Sequence, residues 1–165
     1  MGSLVEGYIL IVSKKHYNNM SELNEEEKTE YINLLNKYRE LFNRLYNKYP
    51  IIFEHGDIDN NINTSSIGHA HTHIVNYNFK NELNIINELK FNLLNSITEI
   101  KNNTNYIMYI NEYNQIYISY KYNSMSQLMR ILIAKDLNIE DKYNWKNNKF
   151  NNNIKLTINK IKNNI

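Results

Sequence analysis

The chain contains no cysteine among its 165 residues. This absence excludes disulfide bonds and every metal centre that uses thiolate ligands, and it is typical of proteins that fold in a reducing compartment. On this ground we expect a cytoplasmic protein.

A strong charge of either sign is missing as well. Nineteen basic and seventeen acidic side chains leave a formal net charge of +2, which is too small a bias to indicate a nucleic-acid or anionic-membrane partner. No apolar run has the length that a membrane span requires, and the first six residues are too few for a signal peptide. We therefore expect a protein whose function requires neither nucleic acid nor a membrane.

The length and the hydrophobic pattern predict one domain over residues 1–165. Apolar residues make up 42% of the chain, which is enough for a sizeable core, and no internal repeat or linker interrupts it. Continuous or alternating apolar residues predict strands at residues 8–12, 51–54, 68–75, 106–110 and 115–120. Helical spacing predicts helices from a cap at Ser21 or Asn24 to residue 47, at 81–97 and at 126–136, a polar loop at 56–66, and a docked segment after 151. This order favours an α+β fold with an antiparallel sheet over a β-α-β series.

Three of the five histidines lie within five residues, in the run His69-Ala70-His71-Thr72-His73. In a strand, side chains two positions apart share one face of the sheet. The three imidazoles are therefore expected to form one row. Because partly cationic rings are poor core material, the row predicts a functional site.

Three interpretations of this row are open. His-x-His on a strand is a common spacing for zinc ligands, and His16, Glu54 or His55 could complete such a site. The row could also be a polar, half-exposed strand without chemistry. In the third interpretation a neutral imidazole attacks phosphorus, and its two neighbours bind the non-bridging oxygens and protonate the leaving oxygen.

Several motifs agree with a known pattern. The run His69 to Val75 follows His-φ-His-φ-His-φ-φ, where φ is apolar, and departs only at Thr72. Residues 7–16 follow a Gly-x-φ-φ-φ-φ-Pro-Lys-x-His strand and turn, with Ser13 in place of proline, and Ser66 begins a typical Ser-φ-x approach to the triad. With these motifs the chain resembles the histidine triad (HIT) superfamily of nucleotide hydrolases and transferases.

The resemblance implies a fold and a chemistry. The fold would be a HIT-like antiparallel sheet meander of about five strands packed with helices, often in a twofold homodimer. His71 would be the nucleophile that attacks the α-phosphate, while His69 and His73 orient it and contact the phosphate, and Ser66 would bind phosphate through its hydroxyl. No metal and no cofactor would be needed. Many transferase relatives have glutamine where this chain has His73, so hydrolysis is favoured.

The chain also departs from the family pattern. Only six residues precede the first strand, so we expect the base-binding N-terminal hairpin to be absent or replaced. Tyr8 lies where several members have an additional histidine, and Glu54-His55-Gly56 lies where others have Asn-x-Gly. We expect His55 near the pocket. Gln127 and Arg130 share a helix face at i, i+3 spacing and could reach the site, a partner subunit or only the core.

These observations favour one function over two alternatives. The leading hypothesis is a hydrolase of nucleotide phosphoanhydride or phosphoramidate bonds, in the class of diadenosine-polyphosphate or nucleoside-phosphoramidate hydrolases. The first alternative is a catalytically weak, HIT-like protein that binds nucleotide or phosphate, which the short N-terminus favours. The second is a metal-dependent histidine site, which the lack of cysteine disfavours.

Overall fold

The computed structural model describes residues 2–57, 69–121 and 127–164. Within these ranges six strands and four helices succeed one another, together with three short 3-10 turns. The elements are β1 (Tyr8–Val12), α1 (Glu25–Tyr46), β2 (Ile51–Gly56), β3 (His71–Val75), α2 (Glu82–Glu88), β4 (Asn92–Leu94), β5 (Tyr106–Ile110), β6 (Ile116–Ser119), α3 (Leu128–Asp136) and α4 (Asn151–Lys162).

The six strands form one antiparallel sheet in the order β1-β3-β2-β5-β6-β4. The predicted α+β class with an antiparallel sheet is confirmed, with six strands where about five were expected. The expected meander is wrong, because β3 lies between β1 and β2, and β4 pairs with β6 at the far edge. Strand β3 lies between β1 and β2 and pairs with both of them. The strand that carries His71 and His73 is therefore an interior strand with a neighbour on each side.

Both faces of the sheet are covered. Helix α1 packs on one face through Tyr31, Leu35 and Phe42, and α3 packs on the other through Met129 and Ile133. Because each face has its own hydrophobic cluster, all five residues of β5 are buried, as is typical of strands that are covered on both sides. His71 and His73 lie on the face that α3 covers.

Helix α1 begins at a capping box. The Asn24 side chain accepts a hydrogen bond from the Glu27 amide at 2.9 Å, and the Glu27 carboxylate accepts one from the Asn24 amide at 3.2 Å. This pair satisfies two backbone donors that a helix start leaves open. Of the two caps predicted, Asn24 is the one used, while Ser21 lies in a 3-10 turn. The helix ends at Asn47, in the left-handed region with φ 53°.

The predicted helix over residues 81–97 is wrong. Only Glu82–Glu88 is helical, and a second short segment, Asn92–Leu94, is the edge strand β4 that pairs with β6. Lys90, with φ 52°, turns the chain out of the helix. The apolar spacing was misleading because Leu83 and Leu93 are 70% and 61% exposed and line no core.

The other boundaries differ less from the predictions. The hairpin is present as β5 and β6, and the third helix begins at Leu128, because Gln127 has a left-handed backbone with φ 62°. Residue 126, where this helix was predicted to begin, lies outside the described residues. The C-terminal segment is the helix α4, and it is docked: the Gly7 amide donates to the Thr157 hydroxyl at 2.8 Å. Within the described part of the chain, no helix combines the length and the hydropathy that crossing a membrane requires.

A buried carboxyl group lies on the α1 face of the sheet. Glu54 is 1% exposed and accepts hydrogen bonds from the Met20 amide at 2.6 Å and the Tyr106 hydroxyl at 2.8 Å. It is paired across the strands with Thr72, whose hydroxyl shares a 2.7 Å hydrogen bond with Tyr31. Burial raises the pKa of Glu54 to about 7, although its two hydrogen bonds act to lower it.

Glu54→Gln is expected to change how stability depends on pH. The pKa of Glu54 rises on folding from 4.5 to about 7, so its contribution to stability is complete below pH 4.5 and is lost as the pH rises through 7. For a shift of this size the loss is about 3 kcal/mol. Glutamine stays neutral and removes this loss. Urea unfolding of both proteins at about pH 5 and pH 8 measures the difference, because every other group titrates in both.

Glu88→Gln, at an exposed position of α2, is the matched control and should behave like the parent protein. If Glu54→Gln and the parent lose equal free energy of unfolding between the two pH values, Glu54 does not titrate in this range.

Candidate active site

His71 and His73 are neighbours on one face of β3. Their ring centroids are 4.9 Å apart in an edge-to-face contact. The register places His73 between Leu10 of β1 and Phe53 of β2, and the Phe53 ring stacks on it at 4.4 Å. Two of the three predicted imidazoles therefore share a face, as the strand period requires.

His69 does not continue this strand, although one strand over residues 68–75 was predicted. The chain leaves the β3 ladder at Ala70, whose amide donates to the Tyr17 carbonyl at 2.8 Å. The His69 ring lies against His16, with centroids 5.3 Å apart, and its Nε2 donates to the Ser13 carbonyl at 2.7 Å. The third imidazole is thus held by the loop that follows β1.

The hydrogen bond of His71 defines which ring nitrogen carries the proton. Nδ1 of His71 lies 2.7 Å from the backbone carbonyl oxygen of His69. A carbonyl oxygen only accepts, so Nδ1 carries the ring proton and Nε2 keeps its lone pair. Burial lowers the pKa of His71, the bond to the carbonyl raises it, and the charge of His69 lowers it, with a net pKa below 6.5. The ring is therefore neutral near pH 7, as a nucleophilic imidazole must be.

His73 is the most deeply buried of the three histidines, at 6% exposed. Burial, followed by the charges of His71, Arg130 and His55, holds its pKa well below 6.5. The Tyr8 hydroxyl lies 2.8 Å from Nδ1 of His73. This ring is a neutral group within a hydrogen-bond network, not an imidazolium.

The structure brings His55 to the same site. It lies near the end of β2, next to Glu54, which pairs with Thr72. Burial lowers the pKa of His55, the charge of Asp57 raises it, and the charge of His71 lowers it. Nε2 of His55 and Oδ2 of Asp57 are 4.0 Å apart. The ring of His55 therefore lies beside the His71 and His73 pair on β3, in addition to His69.

The two remaining predicted residues differ in outcome. Ser66 lies outside the described residues. Gln127 immediately precedes α3, and its side-chain oxygen accepts a hydrogen bond from the Trp145 amide at 3.3 Å. Of the two residues on this helix face, Arg130 is the one that approaches the histidines, because its guanidinium lies over the Tyr8 ring.

The sequence pattern assigned no role at the site to Tyr8 or Phe53, and Tyr8 is in it only a departure from the family pattern. For Arg130 it left three possibilities open: the site, a partner subunit or the core. Strand alternation could have indicated Phe53 and Tyr8 once the pairing was known, because both lie on the His73 face. Arg130 is 57 positions from His73 along the chain, and no local pattern predicts that the two meet.

The side chains of the described residues do not form a ligand cluster for a metal. No three histidine, aspartate or glutamate side chains come together there in a way that could hold an ion. The Nδ1 atoms of His71 and His73 are already bound to a carbonyl oxygen and a hydroxyl group.

Comparison with known proteins does not place the chain in a family. No family model matches it, and neither does any curated protein sequence. The likeness to the histidine triad superfamily therefore rests on the motifs of the chain itself.

Phe53→Ala is expected to destabilise the protein and to expose His73. Phe53 is buried against the His73 ring, and removing a buried phenyl ring costs about 3–5 kcal/mol. Water that enters the space weakens the desolvation of His73, so its pKa should rise toward 6.5. Urea unfolding and a pH titration of the His73 ring signals by NMR measure the two effects.

Phe53→Leu is the matched control, because it keeps an apolar wall and should cost no more than about 1.5 kcal/mol. An unchanged His73 titration in Phe53→Ala would mean that burial by Phe53 does not set the pKa of His73.

Proposed function

We propose that the chain is a HIT-type hydrolase that cleaves phosphoanhydride or phosphoramidate bonds of nucleotides through a covalent nucleotidyl-histidine on His71. The observation that carries the proposal is the bond from Nδ1 of His71 to the His69 carbonyl. It leaves Nε2 unprotonated on a ring whose pKa is lowered, and such an atom can attack phosphorus.

In the first step Nε2 of His71 attacks the α-phosphorus and forms a P–N bond. The bond from phosphorus to the leaving group breaks, and the leaving group departs with the electron pair. A phosphoanhydride releases a phosphate anion, and a phosphoramidate releases an amine whose nitrogen takes up a proton from solvent. The proton on Nδ1 stays on the ring, which gains positive charge as the new bond forms. The His69 carbonyl oxygen, 2.7 Å away, stabilises this charge, so the same contact orients the nucleophile and supports the intermediate.

In the second step water attacks the phosphorus of the nucleotidyl-histidine. The P–N bond breaks, its electron pair returns to Nε2 of His71, and the proton of the water is released to solvent or to the product. His73, which stands where many transferase relatives have glutamine, favours water as the acceptor. His69 lies at the edge of the site, where its Nε2 donates a hydrogen bond to the Ser13 carbonyl.

The α+β class, with an antiparallel sheet that helices cover on both faces, supports the proposal. A long helix joins β1 to β2, and the histidine strand inserts between these two strands. The nucleotide substrate, the cytoplasmic location and the homodimer belong to the same proposal. The dimer rests on the resemblance alone.

His71→Ala should abolish turnover, with a loss of more than about a hundredfold, because deleting a covalent nucleophile normally costs far more than that. Binding of the nucleotide should largely survive. Diadenosine polyphosphates and nucleoside phosphoramidates are the substrates to assay. Quenching without acid should trap a labelled nucleotidyl group on His71 that is labile in acid and stable in base.

His71→Gly with added imidazole is the companion variant and should recover part of the activity. More than about a hundredth of the parent rate in His71→Ala would exclude His71 as the nucleophile. Tight nucleotide binding without turnover in the parent protein would favour a binding protein instead.

Chelation should leave the activity unchanged. The proposed steps use imidazole and carbonyl groups, and the described residues contain no ligand cluster for an ion. Activity is compared before and after exhaustive dialysis against a strong chelator, together with metal analysis of the purified protein. Activity that is lost on chelation and restored by zinc would assign the histidines to a metal-dependent site.

A further inference from the structure

A buried arginine of α3 lies beside the end of the site that contains His73. Arg130 of α3 is 2% exposed. Its Nε donates to the Tyr143 carbonyl at 3.1 Å and its Nη1 to the Gly2 carbonyl at 2.8 Å. The remaining nitrogen, Nη2, has no hydrogen-bond partner among the described residues. The guanidinium carbon lies 5.5 Å from the centre of the Tyr8 ring, so a desolvated cation faces this tyrosine.

Tyr8 connects the arginine to His73. Its hydroxyl lies 2.8 Å from Nδ1 of His73, and either group could in principle donate. A nearby cation attracts the lone pairs of the phenol oxygen and turns the hydroxyl hydrogen away, toward the imidazole. Burial raises the pKa of Tyr8, although the Arg130 guanidinium lowers it. The net shift is upward, so the hydroxyl keeps its proton and can donate it.

We propose that Arg130 and Tyr8 are positioning residues that hold His73 as a neutral hydrogen-bond donor, with Nδ1 accepting from the Tyr8 hydroxyl and Nε2 carrying the ring proton. Within the part of the chain that the structure describes, the charged groups that act on the pKa of His73 all act in the same direction. Arg130 on α3, His71 on β3 and His55 on β2 all disfavour an imidazolium at this position.

The two adjacent rings of β3 are then opposite tautomers. His71 has its proton on Nδ1 and a lone pair on Nε2, while His73 has a lone pair on Nδ1 and its proton on Nε2. This part of the inference rests on the proposed function: His73 donates a hydrogen bond to a phosphoryl oxygen while His71 attacks. A neutral imidazole is far too weak an acid to surrender that proton at neutral pH, so His73 stabilises developing charge and does not protonate the leaving group.

The tautomer of His73 can be read without any substrate. Long-range 1H–15N correlation NMR of the uniformly labelled parent protein distinguishes protonated from unprotonated ring nitrogens, and His73→Gln assigns the signals. We expect an unprotonated Nδ1 and a protonated Nε2 on His73, unchanged from about pH 8 to about pH 5. A protonated Nδ1, or an imidazolium near pH 7, would overturn the proposal whether or not the protein is a hydrolase.

Two variants separate the contributions of Tyr8 and Arg130. Tyr8→Phe keeps the ring and removes the hydroxyl donor, so in part of the His73 population the ring proton should move from Nε2 to Nδ1. Arg130→Met removes the cation, so the pKa of His73 should rise. Arg130→Lys keeps a cation, so the pKa of His73 should be lower in this variant than in Arg130→Met. An unchanged His73 tautomer in Tyr8→Phe excludes the role of Tyr8, and an unchanged His73 titration in Arg130→Met excludes that of Arg130. If Arg130→Met does not fold, Arg130→Lys and the parent spectrum decide.

Kinetics provide the link to the proposed hydrolysis. With a nucleotide substrate that the parent cleaves, Tyr8→Phe should lower kcat by about tenfold or more and leave KM nearly unchanged, because the Nε2 donor acts on charge that develops during the reaction. An unchanged kcat together with a shifted tautomer would show that Tyr8 sets the tautomer of His73 but that this tautomer does not contribute to hydrolysis.

Discussion

The antiparallel pairing of β3 with both β1 and β2 is the constraint on which the site depends. It places His73 between Leu10 and Phe53 and provides the Tyr8 hydroxyl from the neighbouring edge strand. An edge position would leave the rings of β3 open to water on one side. As an interior strand, β3 has its imidazoles covered by protein, and the loss of hydration sets their protonation.

Desolvation gives the two faces of β3 opposite dependences on pH. His71 and His73 have lowered pKa values, so their contribution to stability falls as the pH drops below the unfolded-state value of 6.5. Glu54, which is paired with Thr72 on the other face, has a raised pKa, and its contribution to stability is lost as the pH rises through about 7. These groups are all uncharged only above the lowered pKa values of the two histidines and below the raised pKa of Glu54, and the centre of the sheet tolerates them best there.

Much of the fold could be predicted because its signals are local. The cap at Asn24 marks the start of α1, and Pro50 follows its end. The apolar runs of β1 and β5 indicate buried strands, and the tail that was expected to dock does so as α4. The helix predicted over residues 81–97 is wrong, because the leucines of this segment have helical spacing although Leu83 and Leu93 face solvent. Pairing with β6 decided the outcome there, and pairing depends on residues far away in sequence.

The sequence by itself determined that His71 and His73 share a face, since alternation in a strand is a property of the backbone. It also indicated chemistry at this strand through the density of histidines. The tertiary structure decided which nitrogen of His71 carries the proton, why His73 is neutral, and that Arg130 and Tyr8 stand behind it. Hydration and through-space charge set protonation, and both depend on which distant segments pack together.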